Sequence, residues 1–408
     1  MKYIIKHKTQ KIKGEIKIPP SKSISNRALI LNAINHKIKI KNLSKSKDTI
    51  ILKQALKQIQ QGKTKIFIGN CGTAMRFLTA YLSTKKKKTI LYGNKRMNKR
   101  PIKPLIDCLK SMGAKINYLE KTGFPPISIQ GTNLKGGNIK ITGDLSSQII
   151  SAIILIASEY KKPIKMTINN NIVSKGYIML SLQMMSHFNI QNSFNKNIIT
   201  VNNNKLANKE YIIEGDWSCA AYWYNLASCA KECNLKLYNL NPTSKQPDII
   251  LKKLYSEINV DTYIKKKYIQ IIKNNRKAKI TNYNLINSPD IFPSLLTTCV
   301  LNNIKIEISG IEHVKYKESN RISAMNTEIN KTGAIVKKNN NFYNLEFNKI
   351  SYENLKFKSY WDHRIIMSLM VFAMKNKIEI NNPKTVDKSY PDFWKNVKKI
   401  GFKITKCS

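Results

Sequence analysis

The feature that most constrains this fold is a unit of helix, turn and strand that occurs six times along the chain. Each copy has a polar lead-in, an apolar helical segment, a short turn and a strand of alternating character. The six copies are "SNRALILNAINHKIKIKNL", "CGTAMRFLTAYLSTKKKKTILYG", "SSQIISAIILIASEYKKPIKMTI", "WSCAAYWYNLASCAKECNLKLYNL", "DIFPSLLTTCVLNNIKIEISG" and "DHRIIMSLMVFAMKNKIEINN". Their strands are predicted to begin near Ile38, Thr89, Ile164, Leu235, Ile304 and Ile378. The spacing is therefore about 72 residues, with one interval shorter by roughly 20 residues between the first two copies.

The helical segments are apolar on nearly every side, which predicts helices that are buried on all faces. The strands alternate, as in "GGNIKITGDL", which predicts sheets with one face toward solvent. A chain of 408 residues is long enough for two domains, each with its own core. The sequence therefore predicts an α/β protein with three repeats per domain, helices inside and sheets outside. The short first interval predicts that one outer sheet is trimmed.

Polar residues stand at the start of each buried helix, where Ser, Asp or Gly-Thr suits an N-cap. Helix N-termini also attract anions through their unpaired N–H groups and the helix dipole. In "KIPPSKSISNRALIL", Lys22, Ser23 and Arg27 stand at such a start, which favours an anion site. The alternative, that these polar residues only cap the helices, stays open for any single helix.

The formal charge of +47 suggests a nucleic-acid-binding protein, but the pattern of the charges argues against that class. Only seven of the 71 basic residues are arginines, and the lysines are spread along the whole chain among Asn and Ile. Nucleic-acid binders more often combine charge with aromatic residues and arginine on one face. Six arginines fall in the motifs described below, where a planar bidentate donor suits carboxylate or phosphate, although structural ion pairs remain an alternative.

Neither a membrane span nor a disulfide framework is expected. The longest apolar runs, such as "IISAIILIAS", are shorter than the roughly 20 residues that a spanning helix needs. Charges interrupt the N-terminal segment, so no signal-peptide core is predicted. Seven cysteines without a CxxC pair favour reduced thiols in the cytoplasm. Cys229 and Cys233 could suit a metal by spacing, but core packing is favoured because no further His or Cys ligand is nearby.

Nine motifs, in order, resemble those of the 5-enolpyruvylshikimate-3-phosphate (EPSP) synthase family. They are "PPSKSISNRALIL", "GNCGTAMRFL", "RMNKRPI", "GDLSSQIISAIIL", "VSKGYI", "EGDWSCAAYW", "KYKESNRISAM", "DHRIIMSLM" and "PKTVDKSYPDFW", and they extend from about residue 14 to about residue 394. The resemblance implies a two-domain inside-out α/β barrel, the enolpyruvyl transferase fold. It also implies transfer of the enolpyruvyl group of phosphoenolpyruvate to the 5-hydroxyl of shikimate 3-phosphate, a step of aromatic amino-acid biosynthesis.

The same resemblance implies which residues bind the two polyanionic substrates. For shikimate 3-phosphate they are Lys22, Ser23, Arg27, Ser146, Ser147, Gln148, Ser174, Tyr177 and Lys317. For phosphoenolpyruvate they are Lys22, Asn70, Gly72, Arg100, Gln148, Arg321, Arg364 and Lys388. His313 stands where the family has Asn and is expected to donate to the substrate, with a charge that varies with pH. No cofactor, metal, nucleic acid or membrane is implied, and the protein is expected to be a monomer that glyphosate inhibits.

Two carboxyl groups stand at the positions that the resemblance assigns to proton transfer. Asp290 is predicted to take the proton of the substrate hydroxyl and also to bind substrate, and Glu318 to protonate the methylene carbon. Lys22 is a second candidate for either step. Read alone, Asp290 is more simply a helix N-cap. Because cations crowd Glu318, it needs burial or substrate charge to hold a proton.

The motifs also predict that the chain crosses twice between its domains. Residues 1–19 and 215–408 are expected to form one globular domain and residues 20–214 the other, with the active site in the cleft between them.

Three other functions are alternatives to this one. A UDP-N-acetylglucosamine enolpyruvyl transferase would carry a loop cysteine where this chain reads "YGNKRMNKRPI". A basic nucleic-acid-binding protein would bind random nucleic acid in a salt-sensitive way. A degraded enzyme is opposed by the intact set of motifs.

Overall fold

The structure is a computed structural model that describes residues 1–143 and 146–407. These residues form two compact units, one of Met1–Pro20 with Glu214–Ser408 and the other of Ser21–Ile213. None of the helices in the described ranges has the length and apolar character that crossing a bilayer requires.

Twelve α-helices and 22 strands lie in the described residues. The helices are α1 Lys22–Ile34, α2 Lys47–Gln60, α3 Gly72–Leu82, α4 Lys103–Ser111, α5 Ser147–Leu155, α6 Lys175–His187, α7 Trp217–Cys229, α8 Leu251–Ser256, α9 Phe292–Leu301, α10 Arg321–Asn330, α11 His363–Leu369 and α12 Phe393–Lys399. The strands are β1 Lys2–His7, β2 Lys11–Lys17, β3 Lys39–Lys41, β4 Lys65–Phe67, β5 Thr89–Tyr92, β6 Lys115–Tyr118, β7 Ile127–Gln130, β8 Gly137–Thr142, β9 Ile164–Asn169, β10 Asn192–Asn195, β11 Ile198–Val201, β12 Glu210–Ile212, β13 Glu232–Tyr238, β14 Val260–Ile264, β15 Tyr268–Lys273, β16 Asn282–Asn284, β17 Glu307–Ser309, β18 Ala334–Asn339, β19 Phe342–Phe347, β20 Lys356–Phe357, β21 Ile378–Asn381 and β22 Phe402–Cys407.

The core of the first unit is built around α7, α9 and α11, the helices of three of the repeats. Every residue of these helices is buried, which confirms the prediction made from their uniformly apolar sequences. Three sheets cover them, with strand orders β20-β21-β1-β22, β14-β15-β13-β2 and β16-β17-β19-β18. Each sheet contains the strand that follows one buried helix.

The second unit places α1, α3 and α5 in its core, and nearly all of their residues are buried. Two of its sheets have four strands, in the orders β4-β5-β7-β6 and β10-β11-β9-β8. The sheet of the first repeat has only two strands, β12 and β3. This confirms the trimming predicted from the short first interval. The predicted fold class, α/β with buried helices and outer sheets, is also confirmed, although no described sheet closes on itself.

Two of the six strands do not begin where the alternation predicts. β13 begins at Glu232 instead of near Leu235, because it pairs in parallel with the whole of β2. β17 begins at Glu307 instead of near Ile304, because its antiparallel pairing with β19 covers three residues. In both cases the neighbouring strand, which alternation does not reveal, sets the boundary.

Side chains cap five of the six buried helices. Ser21, Ser146, Asp216 and Asp362 accept from backbone N–H groups of the first turn, as N-caps do. The cap of α3 is the sulfur of Cys71, which takes the place expected for Gly-Thr. Helix α9 instead follows a 3₁₀ turn, Pro289–Ile291, and has no side-chain cap.

The three buried helices of the first unit are joined by one polar side chain. Asn225 on α7 donates to the hydroxyl of Thr297 at 2.9 Å and accepts from the hydroxyl of Thr298 at 2.9 Å, both on α9. It also donates to the carbonyl oxygen of Ser368 on α11 at 3.4 Å. Because the surroundings are apolar, these bonds fix one relative orientation of the helices.

Replacing Asn225 with alanine should therefore destabilise the first unit. The variant leaves the buried hydroxyls of α9 without their amide partner, at a cost of about 2–3 kcal/mol in the free energy of unfolding. Urea denaturation followed by circular dichroism measures this loss. Asn234→Ala, on the exposed face of β13, is the control and should cost less than about 0.5 kcal/mol. Equal stabilities for the two variants would contradict this role of Asn225.

Candidate functional site

The first unit contains a buried arginine that is bonded to three carboxylates. Arg321 opens α10, and its side chain is only 1% exposed. Its Nη1 donates to Asp290 at 2.8 Å, its Nη2 to Glu318 at 2.7 Å and its Nε to Asp362 at 2.8 Å. Burial alone would lower the pKa of Arg321, but the three carboxylates raise it above its ordinary value. The guanidinium is thus permanently charged and fixed in position.

A second arginine shares one of these carboxylates. Nη2 of Arg364 donates to Asp290 Oδ2 at 2.6 Å, so Asp290 bridges Arg321 and Arg364. Arg364 is held at the start of α11, where its backbone N–H donates to Asp362 Oδ1 at 3.0 Å. Asp290 lies in the turn before α9 and is not the cap of that helix. The alternative interpretation of Asp290 as an N-cap is therefore wrong.

Further polar residues surround this pair of arginines. Lys388, at the end of a 3₁₀ turn, has its Nζ 3.7 Å from Glu318 Oε1. Lys317 follows the 3₁₀ turn Glu312–Tyr316, which contains His313. Burial lowers the pKa of Lys317, with Asp290 and Glu318 opposing the shift and both arginines adding to it. Ion pairs thus join five of the seven predicted site residues of the first unit: Asp290, Glu318, Arg321, Arg364 and Lys388. The other two, His313 and Lys317, lie close enough for the charges of this group to act on them.

The ionisation of Asp290 follows from its neighbours. Burial would raise its pKa, but Arg364, Lys317 and Arg321 outweigh burial and hold the pKa well below the ordinary range. Asp290 is therefore a carboxylate throughout the neutral range, which fits a group that accepts a proton or a hydrogen bond.

A further carboxyl, that of Asp248, lies close enough to Asp290 for the negative charge of Asp290 to affect its pKa. Asp248 is buried in the 3₁₀ turn Pro247–Ile250, and the hydroxyl of Ser218 donates to it. Burial, followed by the negative charge of Asp290, raises the pKa of Asp248 to about 7. One carboxyl of the pair is thus ionised and the other is partly protonated near neutral pH.

His313 stays neutral under the same conditions. Burial, followed by the charge of Lys317, lowers the pKa of His313 to about 4. Its charge therefore does not vary near neutral pH, contrary to the expectation from the ordinary pKa of histidine. A neutral imidazole can donate one hydrogen bond, as the Asn side chain of the family can.

In the second unit, the first turn of α1 carries Lys22. Its Nζ lies 3.2 Å from Asp48 Oδ2, in the first turn of α2, and both side chains are largely buried. Since a buried ammonium needs a partner, Asp48 fixes where this charge lies.

Arg27, one turn further along α1, lies among α1, α5 and α6. It donates to the hydroxyls of Ser181 and Ser151 and to the carbonyl oxygens of Tyr177 and Ser23. The structure therefore brings Arg27, Ser23 and Tyr177 together. Ser174, before α6, is buried with a left-handed backbone conformation (φ 55°), which a serine adopts only where the surroundings impose it.

The start of α3 is the third part of the second-unit site. Gly72 lies so close to the guanidinium of Arg100 that a Cβ at this position would overlap it. Arg76 donates to the carbonyl oxygen of Gly72 at 3.1 Å and to Gln148 Oε1 at 3.3 Å. Gln148 donates in turn to the hydroxyl of Thr73 at 3.1 Å. Gly72, Arg100 and Gln148 are thus brought together.

The remaining predicted residues lie at the same helix starts. Asn70 precedes the cap of α3, Ser146 caps α5 through the N–H of Gln148, and Ser147 is the first residue of α5. The anion site predicted at these helix starts stays a prediction. The cleft between the two domains stays a prediction.

Sequence reasoning missed several residues of these networks. They are Asp48, Thr73, Arg76, Ser151, Ser181, Asp248 and Asp362. Asp362 carried a signal, because an acidic cap directly precedes His363 and Arg364 in "DHR". Ser151 and Ser181 also carried one, since each is a polar residue with apolar residues on both sides of it in its helix. Arg76 carried one too, as one of the six arginines within the motifs, and Thr73 as part of the Gly-Thr helix start. Asp48 and Asp248 had no such signal.

Comparison with known proteins gives one consistent result. The sequence model of the family described as EPSP synthase (3-phosphoshikimate 1-carboxyvinyltransferase) matches residues 6–66 and 36–397. A protein named 3-phosphoshikimate 1-carboxyvinyltransferase from Bacteroides fragilis (strain YCH46) is 35% identical over 409 residues, covering 99% of both chains. One of the same name from Buchnera aphidicola subsp. Cinara cedri is 35% identical over 414 residues and covers 94% of both.

Solved structures agree on the fold. EPSP synthase from Acinetobacter baumannii matches with a TM-score of 0.76 at 22% identity, covering 99% of this chain and 100% of that one. The enolpyruvyl transferase NikO from Streptomyces tendae matches with a TM-score of 0.77 at 10% identity, covering 100% of this chain and 99% of that one. At these identities the likeness concerns the fold alone.

The pKa of Asp248 predicts a pH dependence of stability. Between about pH 4 and pH 7 the folded protein holds a proton on Asp248 that the unfolded chain releases, so this group's contribution to stability falls as pH rises through that window. Asp248→Asn removes the fall. Relative to wild type, the variant should gain stability as pH rises through this window, because it no longer loses the free energy of the bound proton.

Urea denaturation at several pH values measures this difference. Asp107→Asn, which removes an exposed carboxyl in the second unit, is the control and should show no such trend. If the difference between Asp248→Asn and wild type does not change with pH, Asp248 is not protonated in the folded protein.

Proposed function

Because this chain belongs to the EPSP synthase family, we propose that it transfers the enolpyruvyl group of phosphoenolpyruvate to the 5-hydroxyl of shikimate 3-phosphate and releases phosphate. The observation that carries this proposal is the network in which Asp290 and Glu318 lie within hydrogen-bond distance of fixed arginines. Such a network combines groups that move protons with cations that bind anionic substrates.

The charges of the substrates fit the cations of the chain. The two substrates carry two phosphates and two carboxylates, and arginine binds both groups with paired, parallel hydrogen bonds. Phosphoenolpyruvate is assigned to Lys22, Asn70, Gly72, Arg100, Gln148, Arg321, Arg364 and Lys388. Shikimate 3-phosphate is assigned to Lys22, Ser23, Arg27, Ser146, Ser147, Gln148, Ser174, Tyr177, Asp290, His313 and Lys317. We propose that both sets serve one reaction.

Asp290 takes the proton of the 5-hydroxyl as the hydroxyl oxygen bonds to C2 of phosphoenolpyruvate. Its ionised state suits this role, but a carboxylate bonded to two arginines is a weak base. Binding of an anionic substrate to Arg321 and Arg364 would draw these cations away from Asp290 and raise its basicity. The substrate thus helps to activate the base that acts on it.

Glu318 supplies the proton that C3 of phosphoenolpyruvate gains in the same addition. It takes up this proton when the substrates bind, because their negative charge draws Arg321 and Lys388 away and favours the protonated carboxyl. The resulting tetrahedral intermediate then loses a proton from C3, and the bond between C2 and the phosphate oxygen breaks. The groups reverse roles in this second half, so that no net proton is gained by the protein. Arg321 and Lys388, both close to Glu318, stabilise the negative charge that it carries after donation. Lys22, fixed by Asp48, remains a second candidate for either proton transfer.

We further propose that the protein acts in the cytoplasm as a monomer without a metal or cofactor. Its seven cysteines are free thiols and six of them are buried, which fits a reducing compartment. Each unit has its own hydrophobic core, so neither needs a second copy of the chain to bury its helices.

The proposed reaction is tested by a phosphate-release assay with phosphoenolpyruvate and shikimate 3-phosphate. Phosphate should appear only when both substrates are present. Replacing shikimate 3-phosphate with UDP-N-acetylglucosamine is the control and should give no release. Phosphate release that occurs with UDP-N-acetylglucosamine but not with shikimate 3-phosphate, or that occurs with phosphoenolpyruvate and no acceptor, overturns the proposal.

Variants of the two carboxyl groups test their roles. Asp290→Ala and Glu318→Gln should each lower kcat by at least about 100-fold, because each removes a group that transfers a proton. Both should still bind shikimate 3-phosphate, as measured by isothermal titration calorimetry.

The matched control is Glu346→Gln, which removes an exposed carboxyl paired with Lys337. It should leave kcat within about twofold of wild type. A near-normal kcat in Asp290→Ala or Glu318→Gln would remove that residue from the mechanism.

A further inference from the structure

Arg27 is a buried cation whose described partners are all uncharged. The residue is 3% exposed. Its Nε donates to Ser181 Oγ at 2.7 Å, its Nη2 to Ser151 Oγ at 3.0 Å and to the carbonyl oxygen of Tyr177 at 3.0 Å. Its Nη1 donates to the carbonyl oxygen of Ser23 at 2.9 Å. Within residues 1–143 and 146–407, no carboxylate forms an ion pair with it.

An arginine in this setting keeps its positive charge available to a ligand. Burial lowers the pKa of Arg27 to about 10, so the guanidinium stays protonated at neutral pH. Burying a charge is costly unless hydrogen bonds replace the lost water, and Arg27 obtains four such bonds within the described part of the chain. A guanidinium has five N–H donors, so the second hydrogen of Nη1 can reach a ligand oxygen.

The two serines form the support on which the guanidinium lies. Ser181 Oγ is 2.8 Å from Ser151 Oγ, and both hydroxyls lie within 3.4 Å of the carbonyl oxygen of Tyr177. A consistent set of protons has Ser181 donating to Ser151 and Ser151 donating to Tyr177. Each hydroxyl oxygen then accepts from Arg27. The edge of the guanidinium formed by Nε and Nη2 is thereby fixed.

A third contact sets the plane of the group. The ring centroid of Phe77 on α3 lies 5.6 Å from Cζ of Arg27, which is within the range of a cation–π contact. Hydrogen bonds along one edge and an aromatic ring leave the guanidinium little freedom to rotate. The second N–H of Nη1, which is left for a ligand, then points in one fixed direction.

The bonds to Arg27 explain why serines occupy these two buried positions. Ser151 and Ser181 are 0% exposed and each has apolar neighbours on both sides in the helix sequences "SQIISAIIL" and "KGYIMLSLQMMSH". Alanine would fill either position with better helix propensity and no polar group to satisfy. The hydroxyl of Ser181 also bonds to the carbonyl oxygen of Tyr177 four residues earlier on α6, whereas the bonds of the Ser151 hydroxyl within the described residues all cross from α5 to Arg27, Ser181 and Tyr177.

We propose that Ser151 and Ser181 are positioning residues that fix the guanidinium of Arg27 for the anionic groups of shikimate 3-phosphate, an inference that rests on the function proposed above. Neither serine touches substrate. Their effect reaches the substrate through Arg27, so it concerns the binding of shikimate 3-phosphate and leaves phosphoenolpyruvate and the proton transfers unaffected.

Steady-state kinetics of Ser151→Ala and Ser181→Ala test this inference. Each variant should raise the KM for shikimate 3-phosphate by about tenfold, since an ill-placed charged hydrogen bond costs about 1.4 kcal/mol or more. The KM for phosphoenolpyruvate and kcat should stay within about twofold of wild type. Ser181→Thr, which restores the hydroxyl, should recover most of the loss.

Two controls separate positioning from loss of structure. Ser83→Ala removes an equally buried hydroxyl of the second unit that, among the described residues, donates to the carbonyl oxygen of Thr79 alone, and it should leave every constant unchanged. In an Arg27→Lys background the guanidinium edge is absent, so Ser181→Ala should change the KM for shikimate 3-phosphate by less than about twofold. Circular dichroism verifies that each variant is folded.

The outcomes are distinct. A wild-type KM for shikimate 3-phosphate in both alanine variants overturns the inference while the function stands. So does an equal rise in the KM of both substrates, or an undiminished effect in the Arg27→Lys background. A wild-type protein that releases no phosphate from the two substrates overturns the proposed function, and the inference with it.

Discussion

The rest of the first unit's site depends on the burial of one guanidinium among three carboxylates. Arg321 is bonded to Asp290, Glu318 and Asp362, which come from three different segments of the chain. Removing one partner of such a buried group costs about 3–5 kcal/mol, so the four side chains hold each other in place. The two carboxyl groups for which we propose proton transfer, Asp290 and Glu318, are therefore positioned by the same interaction that fixes the cation.

The buried arginines of the two units have partners of opposite kinds, charged in the first unit and neutral in the second. Arg321 is neutralised by carboxylates, whereas the described partners of Arg27 are hydroxyls and carbonyl oxygens. Under the proposed function, a substrate anion would compete with the carboxylate partners of Arg321 and so change their basicity. A cation with neutral partners keeps its full charge for the ligand. The first arrangement suits chemistry and the second suits binding.

Much of the fold was predictable because the composition of each helix indicates how much of it is buried. The uniformly apolar sequences of α7, α9 and α11 leave no face that water could cover, and these helices are buried throughout. The short first interval likewise leaves too few residues for a four-stranded sheet, and two strands are found. The sequence did not predict which side chains form hydrogen bonds and ion pairs with each other. Asp290 reads as a helix cap in the sequence, and only the approach of Arg364 shows that it is a bridging carboxylate.

The sequence by itself determined the repeat, the buried helices, the family and the residue types that the site uses. The tertiary structure decided which of those residues meet and in what state of charge. Ser181 lies 154 positions from Arg27, and Asp48 lies 26 positions from Lys22, so no local pattern connects either pair. The physical reason is that hydrogen bonds and ion pairs depend on distances of a few ångströms, and these distances are set by helix packing. The amino-acid sequence indicates which residues must be buried, but not which residues they pack against.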